Sequence, residues 1–131
     1  MRKTMLLVAA AITLVVTSGY AENRYLITNQ TEITTLLVKE KINSFCRAII
    51  QGDITVVKRM IALGEDVNQK SLGMTPAIFA ARYNRAGILK LLIDKGADIG
   101  IRSDSGFSIT QFAEAANAKD AIRVINTELG S

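Results

Sequence analysis

The feature that most constrains this chain is that it repeats itself. The stretch from Ala48 to Asn68, AIIQGDITVVKRMIALGEDVN, aligns without a gap on the stretch from Ala80 to Gly100, AARYNRAGILKLLIDKGADIG, 32 residues later. Val56-Val57-Lys58 falls on Ile88-Leu89-Lys90, and Gly64-Glu65-Asp66-Val67 falls on Gly96-Ala97-Asp98-Ile99. A third copy follows at an offset of 33, with Gly73 on Gly106, Thr75 on Ser108, Ala80 on Ala113 and Asn84 on Asn117. A unit this short cannot bury its own apolar face, so such a chain must stack its units side by side into one continuous core.

Each copy reads as two short helices and a loop. In the second copy Thr75 is placed to cap the first helix, and Pro76 stands in the first turn, where a missing N–H removes no bond. That helix is predicted to reach about Tyr83, with Asn84 turning left-handed to end it. Ile88, Leu89, Leu91, Leu92 and Ile93 then give the second helix a broad apolar face, which Gly96 stops. Ala97-Asp98-Ile99 opens a loop running towards Gly106. Leu92 is assigned to the buried side of its helix, matched by Met60 and Ile125 in the other copies.

These residues resemble the ankyrin-repeat family. Gly73-Met74-Thr75-Pro76-Ala77-Ile78-Phe79-Ala80-Ala81 is similar to the family's G-x-T-P-L-H-x-A-A signature, and Ile88 to Asp98 resembles its second-helix and loop signature. The likeness extends over Asn43 to Leu129. It implies an all-α ankyrin-repeat solenoid of helix-turn-helix units with projecting loops, of about three repeats (about 43–70, 71–102 and 103–129) in a domain of residues 43–131. The family's Leu-His is Ala77-Ile78 here, so its bracing histidine is missing. The third copy has Ser108-Ile109-Thr110-Gln111 in place of Thr-Pro, and the polar Gln111 suits a terminal repeat whose outer side meets water.

Two segments precede the repeats. Met1-Arg2-Lys3 is basic, Met5 to Val16 is mostly apolar, and small residues stand at Gly19 and Ala21. That order predicts a secretory signal over residues 1–21, cleaved after Ala21, and too short for a comfortable membrane span. The expected localisation is periplasmic or secreted, with no stable membrane insertion after cleavage. Residues 22–42 are expected to hold an N-terminal capping helix. Asn29 and Glu32 have capping-box spacing, and Ile33, Leu36, Leu37 and Ile42 form a stripe at helical intervals. The whole chain is similar to small exported bacterial ankyrin proteins.

Several chemistries lack parts. The chain has no histidine, which removes the usual base of nucleophilic triads, the commonest zinc ligand and the neutral-pH proton shuttle. The lone cysteine, Cys46, matches Ile78 of the next copy and reads as a small buried apolar residue. Asp66 and Asp98, which with Glu65 and Asp94 make acidic pairs, recur at the repeat period and read as loop hydrogen-bonding residues. Beyond Tyr20 there are 14 Lys plus Arg against 12 Asp plus Glu, mixed in sign along the chain. A nucleic-acid ligand calls for a concentrated basic stripe instead. No enzyme activity, no cofactor and no metal is expected.

What the resemblance implies about function is protein binding through loops and the exposed edges of the first helices. Carried over by position, those sites are Lys70, Leu72, Met74, Arg82 and Tyr83 in the second copy. In the third they are Arg102, Asp104, Ser105 and Phe107, with Ala115 and Ala116. In the first only Ile50 and Gln51 remain. Met74 and Phe107 each follow a turn glycine and are expected at exposed loop tips. The expected role is a non-enzymatic protein-binding module of the periplasm. Family analogy alone suggests a specific form, an inhibitor or self-protection protein for an exported enzyme. The alternatives are a self-associating structural subunit, although a homo-oligomer is not expected, and an enzyme of unrecognised type.

Overall fold

The computed structural model describes residues 32–34 and 41–130. Residues 32–34 are helical, with Ile33 exposed. The predicted signal over residues 1–21 lies outside the described residues, as do Asn29, Leu36 and Leu37 of the predicted capping helix.

Among the described residues three helix pairs follow one another: α1 (Ser44–Gln51) with α2 (Ile54–Ala62), α3 (Pro76–Arg82) with α4 (Ala86–Asp94), and α5 (Ile109–Ala115) with α6 (Lys119–Gly130). The first helices form a row in which α3 touches both α1 and α5, and the second helices form a parallel row, α2 beside α4 beside α6. The all-α ankyrin solenoid expected from the repeat is what the chain adopts.

The first helix of each pair begins where a short polar side chain can replace a missing backbone acceptor. Asn43 Oδ1 accepts from the Cys46 N–H at 2.8 Å, and Thr75 Oγ1 accepts from the Ile78 N–H at 3.1 Å. Ser108 completes a capping box: its Oγ accepts from the Gln111 N–H at 3.2 Å, while Gln111 Oε1 accepts from the Ser108 N–H at 2.8 Å. The first helices end where the backbone turns left-handed, at the equivalent positions Gly52 (φ 77°), Asn84 (φ 54°) and Asn117 (φ 53°). Asparagine tolerates that conformation better than most side chains, so Asn84 ends its helix as expected.

Helix α3 is the centre of the core. Pro76, Ala77, Ile78, Phe79, Ala80 and Ala81 are all buried in succession, because neighbouring helices cover it on every side. The alanines let those neighbours approach closely, and Ile78 and Phe79 fill the space between. Leu92 and Ile125 are fully buried as assigned. Met60 is only partly buried, since α2, at the end of its row, packs mainly on α1 and α4.

Several side chains tie neighbouring repeats together through backbone atoms. Asn68 Oδ1 accepts from the Asp98 N–H at 2.9 Å, Asn84 Oδ1 accepts from the Ala121 N–H at 3.0 Å, and Arg85 donates twice to the Ile50 carbonyl. The repeat alignment contains these positions but gives no sign of the links, because each bond joins non-equivalent positions of two copies.

Candidate functional site

Between the helix pairs the chain makes two hairpins whose ends face the next repeat. In the first, the Ser71 N–H donates to the Met74 carbonyl at 2.9 Å and the Met74 N–H donates back to the Ser71 carbonyl at 3.1 Å. In the second, the Ser103 N–H donates to the Phe107 carbonyl at 2.9 Å and the Gly106 N–H to the Ser103 carbonyl at 2.8 Å. The second hairpin holds one residue more, Ser103 to Phe107 against Ser71 to Met74, which is why the repeat offset grows from 32 to 33.

The hairpins lie against one another. The Asp104 N–H donates to the Gly73 carbonyl at 2.9 Å, and Lys70 Nζ stands 2.8 Å from Asp104 Oδ1. The pair is partly solvated, so it is worth about 1 kcal/mol or less and serves mainly to set register. Ser71 Oγ accepts from the Asn43 N–H at 3.0 Å, and Ser103 Oγ accepts from the Phe107 N–H at 3.1 Å. These bonds account for two of the buried polar side chains.

Met74 departs from expectation. It closes its hairpin rather than standing at the tip, and its side chain is half-buried against the core, with Sδ 4.0 Å from Arg82 Nη1. Phe107 also closes its hairpin, so it too is not a tip residue. Its ring is nevertheless 51% exposed and meets the Phe112 ring edge-on, with centroids 6.1 Å apart. The tips proper are Leu72-Gly73 and Asp104-Ser105-Gly106.

The remaining predicted residues frame an open face. Tyr83 is 42% exposed, and the Arg82 guanidinium lies 5.9 Å from its ring centroid. Arg102 donates to the Gly106 carbonyl at 3.1 Å. Leu72 is 43% exposed. Ser105, Ala115, Ala116 and Gln51 are exposed, and Ile50 is half-buried beneath Arg85. The hairpin bonds bring Lys70, Leu72, Met74, Arg102, Asp104 and Phe107 together, and Met74 links them to Arg82 and Tyr83.

The chemistry at the other candidate positions is structural. Cys46 is fully buried, and desolvation, reinforced by the charge of Glu65, raises its thiol from an ordinary 9.0 to about 12. Such a thiol carries almost no thiolate at neutral pH, and the thiolate is the nucleophilic form. Asp66 Oδ1 accepts from the Asn68 N–H and Asp98 Oδ1 from the Gly100 N–H, both at 2.8 Å, so the two loop aspartates hold tight turns. Among the described residues no three His, Cys, Asp or Glu side chains gather as metal ligands, and no helix is long and apolar enough to cross a membrane.

Comparison with known proteins gives the repeats a wider setting. The family model described as ankyrin repeats, in three copies, matches residues 5–103 and 45–127. The chain is 27% identical over 113 residues to dauer abnormal formation protein 25 of Caenorhabditis elegans, covering 77% of this chain and 29% of that protein. It is 34% identical over 70 residues to a mouse ankyrin repeat, SAM and basic leucine zipper domain-containing protein 1, covering 53% of this chain and 15% of the relative. The chain therefore spans less than a third of the length of these relatives.

Proposed function

Because this chain belongs to the ankyrin-repeat family, whose repeats serve as protein-protein interaction modules, we propose that it is a binding module using the face built by the two hairpins and the ends of α3 and α5. The observation that carries this reading is the shared exposure of Leu72, Tyr83 and Phe107 on that face, with Arg82 stacked beside Tyr83. Exposed aromatic and arginine side chains are the residue types that most often dominate interface energy. Rigid helices hold the face from behind, so a partner would lose little energy in ordering it.

The finer parts of the reading rest on the sequence. Residues 1–21 are a secretory signal, residues 22–42 cap the first repeat, and the mature protein works in the periplasm or outside the cell, like the small exported bacterial ankyrin proteins. Its role there is inhibition of, or protection from, an exported enzyme. Family analogy supports that role. Affinity purification from the native host tests the binding face. Proteins retained by the wild type should be lost with the double variant Tyr83→Ser, Phe107→Ser. A folded variant that retains the same set contradicts the assignment.

A further inference from the structure

The first hairpin turns through two residues, Leu72 at φ 52° and Gly73 at φ 74°. Two positive φ values in a two-residue hairpin belong to the primed turn that Asn-Gly, Asp-Gly and Gly-Gly favour. A leucine there crowds its Cβ against its own carbonyl. Burial does not compensate, since the side chain is 43% exposed and is absent from the packed core. The fold has an unstrained solution for the same connection. In the second hairpin the positive φ falls on a glycine, Gly106 at 85°, at the end of a three-residue turn. A strained apolar residue that stays exposed and outside the packed core points to a contact outside the molecule.

The surroundings of Leu72 are basic. Lys70 holds Asp104 as an ion pair. Arg82 and Arg102 have no carboxylate partner among the described residues: one rests by Tyr83 and Met74, the other on the Gly106 carbonyl. Arg82 thus reaches the residue that closes the first hairpin, and Arg102 the turn glycine of the second, which lies against the first. Three cations are few for a phosphate backbone, and a phosphate gains nothing from an exposed leucine.

Building on the protein-binding reading, we infer that Leu72 is the specificity anchor of this face, and that its partner is an acidic protein segment whose apolar side chains pack on the leucine between carboxylates. The leucine supplies burial at the centre, and Arg82 and Arg102 pair with acids at the rim.

A random dodecapeptide library displayed on phage, selected against the full chain, tests this. Enriched peptides should combine Asp or Glu with aliphatic or aromatic residues, and should bind more weakly as salt rises. Leu72→Asn should weaken them about 10-fold or more while raising the melting temperature by about 4 °C, because asparagine suits the turn. Arg82→Glu with Arg102→Glu should weaken them without unfolding the protein. Peptides that lose binding on Phe107→Ser but are basic, or ignore Leu72→Asn, overturn this inference and leave the binding face standing. A lower melting temperature for Leu72→Asn overturns the premise of strain. Failure to enrich any peptide sensitive to Leu72, Tyr83 or Phe107 overturns both readings.

Discussion

Arg85 donates two hydrogen bonds, from Nε at 3.1 Å and Nη2 at 2.7 Å, to the carbonyl of Ile50, 35 residues earlier in the chain. The acceptor lies in the last turn of α1, where helix carbonyls lack partners within the helix and the dipole favours a cation. The side chain also lies over Gly52, where a Cβ would come within 3.0 Å of Arg85 Cζ, so glycine leaves room for the guanidinium. The first repeat is thereby fastened to the second by a charged clamp.

Arg85→Ala should therefore destabilise the fold by about 1 to 3 kcal/mol, the range for losing a charge-assisted bond to a partly buried group. Chemical denaturation measures it. Arg85→Lys should recover only part of the loss, because an ammonium cannot reproduce the two-pronged geometry. A variant as stable as wild type would show the clamp to be incidental.

Leu92→Ala should destabilise by about 2 to 5 kcal/mol, as truncation of a buried leucine does. Leu92 is fully buried in α4, which touches α2, α3 and α6, so the cavity would open at the junction of all three repeats. Met60→Ala, at the equivalent but only partly buried position, should cost less. Equal losses at the two sites would contradict the burial difference.

The Cys46 thiol predicts a pH dependence. Its folded value, about 12, lies above the ordinary 9.0, so the folded state holds the proton more tightly than the unfolded chain. Stability from this group is fully present below pH 9 and declines as pH rises towards 12. Other groups titrate there too, so the comparison is with Cys46→Ala, whose alkaline decline should be shallower. A thiol reagent at pH 8 should label the wild type only on unfolding. Rapid labelling of the native protein would contradict its burial.

If residues 22–42 cap the first repeat as proposed, their removal should lower the melting temperature. An unchanged melting curve would make that segment a linker. Mass spectrometry of protein from its native host should find a chain beginning at Glu22. An intact Met1 would end the exported reading.

Much of the fold was legible because each repeat states its own punctuation. Thr75-Pro76, Asn84 and Gly96 mark helix starts and stops by local chemistry, and the same marks recur at the period. The site was less legible. Met74 and Phe107 occupy one position in the alignment and were expected to stand out together at loop tips. One hairpin turns in two residues and the other in three, so their side chains meet different neighbours. Met74 settles on the core and Phe107 meets Phe112. The Lys70–Asp104 pair and the Arg85 clamp were invisible for a different reason. Each joins non-equivalent positions of different repeats, and a repeat alignment compares only equivalent ones.

On the proposed reading, the hairpin face is where this protein meets its partner. The most direct test places a photo-crosslinking amino acid at one exposed position at a time in the native host. The positions are Tyr83 and Phe107 on the face, with Leu63, 81% exposed at the end of α2, as the control. A discrete adduct of one protein is expected from Tyr83 and Phe107 and none from Leu63. Adducts from Leu63 alone, or equally from all three positions, would contradict it.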